Sequence, residues 1–137
     1  MAMIGRSHLH ETTVRFSRTD AAGVIYFAQV LDLAHEAYEA LMEEAGCPLS
    51  AFLKPNSIHL PIIRSEADFR LPMRPGDRLR IEVQVSHIGA RSFATTSRIH
   101  VGPDGPVAAQ VMLYHCCVYP DGHAATDIPD WLRAALS

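Results

Sequence analysis

One stretch of this chain reads as a long helix, and that limits the architectures open to it. From about Ala28 to Ala45 the apolar residues Val30, Ala34, Ala37, Tyr38, Leu41 and Ala45 recur at spacings of three and four. That period places them on one face. Asp32, Glu36, Glu39 and Glu43 fall mostly on the other, and Gly46 then Pro48 supply the stop. Most of the remaining chain reads as strand or turn. With 48% hydrophobic and 20% charged residues in 137, sheet and helix are expected to share one core in a single domain, residues 1–137.

The strands follow from alternation. Met1 to Ser7 reads as a loose terminus, and His8 to Phe16 as a first strand with Thr12, Val14 and Phe16 on one face. Between Cys47 and His59 the chain is rich in turn formers, with room for one helical turn at Leu49 to Leu53. Leu60 to Leu71 has Ile63, Ser65, Ala67 and Phe69 on one face and Arg64, Glu66, Asp68 and Arg70 on the other. In Arg78 to Ile88, Leu79, Ile81, Val83 and Val85 alternate with polar residues, the period of a half-buried strand. Gly89-Ala90-Arg91 reads as a hairpin loop before a strand from Ser92 to Val101. Val107 to Tyr119 is apolar on both faces and should lie centrally. A short final helix is expected over Ile128 to Leu136, with Pro129 in its first turn. Short turns predict antiparallel neighbours. The pattern amounts to an α+β domain, an antiparallel sheet over one helix.

Composition excludes several classes. A net charge of −3 gives no support to nucleic-acid binding, and no apolar run nears the roughly 20 residues that cross a bilayer. Met1 to His10 has no apolar signal segment, so a cytoplasmic location is expected. Cys47, Cys116 and Cys117 are not a disulfide framework, and the adjacent pair in an apolar run reads as buried thiols. His8 and His10 lack a third ligand nearby, so no metal site is expected there. No Gly-rich phosphate loop and no Gly-x-Ser-x-Gly occurs.

The chemistry concentrates just before the long helix. Thr19-Asp20-Ala21-Ala22-Gly23 is a loop carrying one carboxylate. A carboxylate there lies beside unpaired backbone N–H groups and the positive end of the helix dipole, an arrangement able to stabilise an oxyanion. Asp20 would also serve as an ordinary cap or turn residue. The run Asp20-Ala21-Ala22-Gly23-Val24-Ile25-Tyr26-Phe27, followed by a long helix, resembles the start of hotdog-fold acyl-CoA thioesterases of the 4-hydroxybenzoyl-CoA thioesterase type. His35-Glu36-Ala37-Tyr38-Glu39 is similar to one branch, the 1,4-dihydroxy-2-naphthoyl-CoA hydrolases of cyanobacterial phylloquinone synthesis. The similarity runs from about Thr13 to Val118.

The resemblance implies a hotdog fold, a sheet wrapped around the central helix, and assembly as a homotetramer, a dimer of dimers. It implies hydrolysis of an acyl-CoA with no cofactor and no metal, coenzyme A being part of the substrate. Asp20 would act as nucleophile or as general base on a water, a choice the residues leave open. The oxyanion donor would be the backbone N–H of Phe27, with Tyr26 beside it, and Gly23 would let the chain turn. His35 is expected to bind, or to be satisfied by a neighbour, rather than act as base. Arg91 and Ser92 match the place where relatives carry basic residues followed by Ser-Phe and would contact coenzyme A; Arg64 is a weaker candidate. The chain departs from some relatives at Ala21, where they have proline, and at Phe27, where a short-chain branch has histidine. Phe27 would suit an aromatic acyl group. The alternatives are a benzoyl-type or short aliphatic acyl-CoA, or a hotdog protein that binds an acyl-CoA without cleaving it.

Overall fold

The long helix, α1 (Phe27–Glu44), forms where the apolar period placed it, and Val30, Leu33, Ala34, Ala37, Tyr38, Leu41 and Met42 on it are buried. The coordinates are a computed structural model describing residues 4–137. Five strands make one antiparallel sheet: β1 (Ser7–Thr13), β2 (Ile62–Phe69), β3 (Arg78–Ile88), β4 (Ser92–Val101) and β5 (Val107–Cys116), in the order β1-β3-β4-β5-β2. A short helix, α2 (Asp130–Leu136), closes the chain, with Pro129 at its cap rather than in its first turn. The α+β expectation and the hotdog arrangement both hold. Leu79, Ile81, Val83 and Val85 of β3 and Ile99, Val111 and Leu113 of β4 and β5 are buried with the apolar face of α1 in one core cluster.

The order of strands corrects one expectation. β2 and β3 are consecutive, yet β2 pairs with β5 and β3 with β1. The link between them is not a hairpin. It holds Pro72 and Pro75 around Met73, and Met73 is buried while its carbonyl accepts the Ile25 N–H at 2.7 Å. The link therefore crosses over the entry to α1, and β2 becomes an edge strand. Its expected two-faced pattern is absent, since Ile63, Ser65 and Phe69 are as exposed as their polar neighbours. β5 does lie inside the sheet, between β4 and β2.

Three smaller expectations also change. The first strand stops at Thr13, and Phe16 opens a 3₁₀ turn (Phe16–Arg18) with its ring exposed. Val14 leaves the ladder because its N–H bonds Asp77 and its carbonyl accepts from Gly76. Of the expected loose terminus, Met1–Met3 lie outside the described residues, but Gly5 and Arg6 are held firmly. The Arg6 N–H donates to Leu136, its Nε to Ala135, and its carbonyl accepts from Val85. A Cβ on Gly5 would sit 2.5 Å from the Leu136 oxygen. Finally, Cys116 is only half-buried, whereas Cys47 and Cys117 are buried, and all three are free thiols.

Candidate active site

The mouth of α1 is built by a closed loop. Thr19 and Ile25 form a bridge, and the Tyr26 N–H donates to the Arg18 carbonyl at 2.9 Å. Inside that neck the Asp20 N–H donates to Val24, and the Gly23 N–H donates to Asp20. Gly23 adopts φ 76°, a left-handed backbone that favours a residue without Cβ. The Asp20 carboxylate is exposed, and its Oδ1 accepts the Ala22 N–H at 2.9 Å. Among the described residues nothing bonds Oδ2. One oxygen is thus anchored and the other is open, which suits a carboxylate that must attack or take a proton.

Tyr26 caps α1 with no side-chain hydrogen bond. The first bond of the turn runs from the Gln29 N–H to the Tyr26 carbonyl. The Phe27 and Ala28 N–H groups lie ahead of it, where a helix leaves its donors free. They share the positive end of the dipole. Asp20 and Phe27 therefore stand at opposite ends of one short loop, a carboxylate and a donor at one helix mouth. That pairing can activate a nucleophile and stabilise the oxygen of the carbonyl it attacks.

Beside the mouth lies an apolar cleft of about 310 Å³ lined in part by Val24, Phe27, Val30, Phe69, Leu71 and Met73. The Phe27 and Phe69 rings meet edge to face at 6.5 Å. Phe69, Leu71 and Met73 were not anticipated as part of this region. The visible signal was Met73, an apolar residue held between prolines in a polar turn.

The other candidates lie elsewhere in the chain. His35 is eight residues along α1 from Phe27, about 12 Å by helical rise. Its Nδ1 pairs with Glu39 at 3.1 Å, and its ring meets Tyr38 edge to face. It lines a second cleft with Tyr38, Phe52, His59 and Leu60. Arg64 is exposed on the free edge of β2, paired with Glu66 and set over the Tyr114 ring at 5.4 Å. Arg91, in the β3–β4 hairpin, binds Asp127 at 3.2 Å, and Ser92 is half-buried opposite Cys116. Phe69 pairs with Ala109, so the mouth and the Ser92 end are about 20 Å apart along β5. The chain brings Asp20, Gly23, Tyr26 and Phe27 into one loop and helix start, but not His35, Arg64, Arg91 or Ser92 with them.

Behind His35 is a buried polar cluster. The His115 ring is fully buried, stacked on Phe93 at 4.5 Å and tilted against Tyr38 at 4.3 Å. Burial, helped by His35, pushes its pKa down to about 3. Burial also raises the Tyr38 phenol. Among the described residues the Tyr38 hydroxyl and His115 Nδ1 have no hydrogen-bond partner. No group of three or more metal-ligating side chains occurs among the described residues.

Comparison with known proteins bears on the family and the fold. The sequence model described as the Thioesterase-like superfamily matches residues 14–136. A 1,4-dihydroxy-2-naphthoyl-CoA hydrolase from Nostoc punctiforme is 37% identical over 131 residues, 93% of this chain and 87% of that protein. The protein of the same name from Synechococcus elongatus is 37% identical over 128 residues, 90% of this chain and 93% of that one. Among solved structures, Slr0204, a 1,4-dihydroxy-2-naphthoyl-CoA thioesterase from Synechocystis, superposes with a TM-score of 0.89 at 26% identity, covering 95% of each chain.

Proposed function

This chain belongs to the thioesterase-like superfamily, and from that premise we propose that it hydrolyses an aromatic acyl-CoA, releasing 1,4-dihydroxy-2-naphthoate and coenzyme A from their thioester. The observation that carries the reading is the closed loop at the helix mouth, where Asp20 keeps one oxygen open and Phe27 starts α1 at the other end of the loop. A thioester carbonyl placed there meets both. Asp20 deprotonates a water that attacks the carbonyl, or attacks it directly to give a mixed anhydride that water then hydrolyses. The developing oxyanion accepts a hydrogen bond from the Phe27 N–H, and the carbon–sulfur bond breaks as the thiolate of coenzyme A leaves. The reaction uses water and needs no metal or redox cofactor. The aromatic substrate is supported by the names of the relatives and by the apolar, aromatic-lined cleft with Phe27 and Phe69.

The site is completed by a second copy. β2 is an edge strand with Ile62, Ile63 and Phe69 exposed. Pairing it with its own copy across a two-fold axis is antiparallel. The partner's opposite end of β2 then lies against this mouth, bringing basic side chains such as that of Arg64 within reach of coenzyme A. Arg91 and Ser92 contribute at the rim, and two such pairs form the homotetramer. A cytoplasmic site of action is consistent with three free thiols and with no described helix long and apolar enough to cross a membrane.

The test is a panel of thioesters followed by release of free thiol. Naphthoyl and benzoyl thioesters should be cleaved with a kcat/KM at least about tenfold above aliphatic ones. Equal or better turnover of aliphatic esters would retire the aromatic assignment, and binding with no hydrolysis across the panel would retire the enzyme.

A further inference from the structure

The cap of α1 does not anchor the Asp20 loop by a side chain: Tyr26 makes no side-chain cap hydrogen bond, and no acidic residue lies in the first turn. The anchor comes from outside. Arg18 ends the 3₁₀ turn that leads into the loop. Its Nη1 donates to Gln29 Oε1 at 2.8 Å and to Asp32 Oδ2 at 2.5 Å. Gln29 and Asp32 are three apart on α1 and share a face. The same residue accepts the Tyr26 N–H through its carbonyl. Main chain and side chain thus grip the helix at its first two turns, with the six-residue loop Asp20–Ile25 held between.

We propose that Arg18, through Gln29 and Asp32, is a positioning residue that fixes the spacing between the Asp20 carboxylate and the Phe27 N–H. It rests on the hydrolytic reading of Asp20. The guanidinium is mostly covered, but Asp32 is 61% exposed, and an ion pair of that kind adds little to global stability. Catalytic geometry is far less forgiving, because a displacement of about 1 Å costs roughly a hundredfold in rate. The pair is therefore placed to matter for turnover much more than for folding.

The experiment compares Arg18→Met, Asp32→Asn and the reversed pair Arg18→Asp with Asp32→Arg. In Arg18→Met, kcat on the naphthoyl thioester should fall about ten- to a hundredfold while KM stays within about twofold. The melting temperature should hold, and amide exchange over residues 19–27 should quicken. Asp32→Asn should move kcat the same way by less. The reversed pair should regain kcat to within a few-fold of wild type and restore slow exchange. Unchanged kcat in Arg18→Met overturns the proposal, whatever the exchange does. A rise in KM alone, or a reversed pair that recovers nothing, also overturns it by making Arg18 a substrate contact. If the wild-type protein cleaves no thioester, the reading of Asp20 fails and takes this role with it, although the exchange data would still show the clamp.

Discussion

The two halves of helix α1 live in different environments. Its mouth is open: Tyr26 is 45% and Phe27 59% exposed, and the Asp20 loop beside them faces solvent. Its middle is closed: Leu33, Ala37 and Leu41 are fully buried, and Tyr38 packs on a buried His115. One helix therefore serves as scaffold along most of its length and as a source of free backbone donors at one end. Substitutions in the two halves should therefore separate activity from stability.

The largest expected effect on folding lies in the middle. Leu41→Ala should cost about 2–5 kcal/mol in urea unfolding, the range for emptying a buried leucine site. A value under about 1 kcal/mol would mean the middle is not the scaffold. Turnover per folded molecule should be nearly unchanged.

His115 gives the next effect, through pH. Its folded pKa of about 3 lies below the ordinary 6.5. Between those values the unfolded chain binds a proton and the folded chain does not. Stability is then fully present above about pH 6.5 and declines as pH falls towards 3, by about 1.4 kcal/mol per pH unit at the steepest. Denaturation as a function of pH should show that slope, and His115→Phe should flatten it. An unaltered slope would place the acid sensitivity elsewhere.

At the mouth, Gly23→Ala should cost about 1 kcal/mol from its positive φ and slow turnover by moving Asp20. Equal kcat in that variant would show that the loop tolerates the shift. The smallest effect is expected at Arg91. Arg91→Ala should leave stability within experimental spread, since its pairing with Asp127 is exposed. If it holds a phosphate of coenzyme A, KM should rise roughly tenfold with kcat unchanged.

The same contrast explains what could be read from the sequence. The middle of α1 and strand β3 were legible because burial imposes a period, as at Leu79, Ile81, Val83 and Val85. Leu33 and Met42 on the helix are also buried, because the apolar stripe is wider than the narrow three-and-four spacing of Val30, Ala34, Ala37, Tyr38 and Leu41. β2 misled for the opposite reason. Alternation in Ile63, Ser65, Ala67 and Phe69 resembles a half-buried strand, but only Ala67 is partly buried against the core and the other three are exposed. The crossing of Pro72–Pro75 over the helix entry is marked locally only by an apolar Met73 between prolines; its partner was not legible, since the bond joins Ile25 and Met73, far apart in the chain. At the site, Asp20, Gly23 and Phe27 were legible as one contiguous motif. The Arg18 grip on Gln29 and Asp32 was not, because it joins two elements through side chains.

The central claim is that Asp20, held at the mouth of α1, drives thioester cleavage. Asp20→Asn, with its single-turnover rate on the naphthoyl thioester measured beside its melting temperature, tests that claim most directly. The account predicts a fall of about a thousandfold in rate with the melting temperature unmoved. A variant that cleaves at the wild-type rate would contradict it.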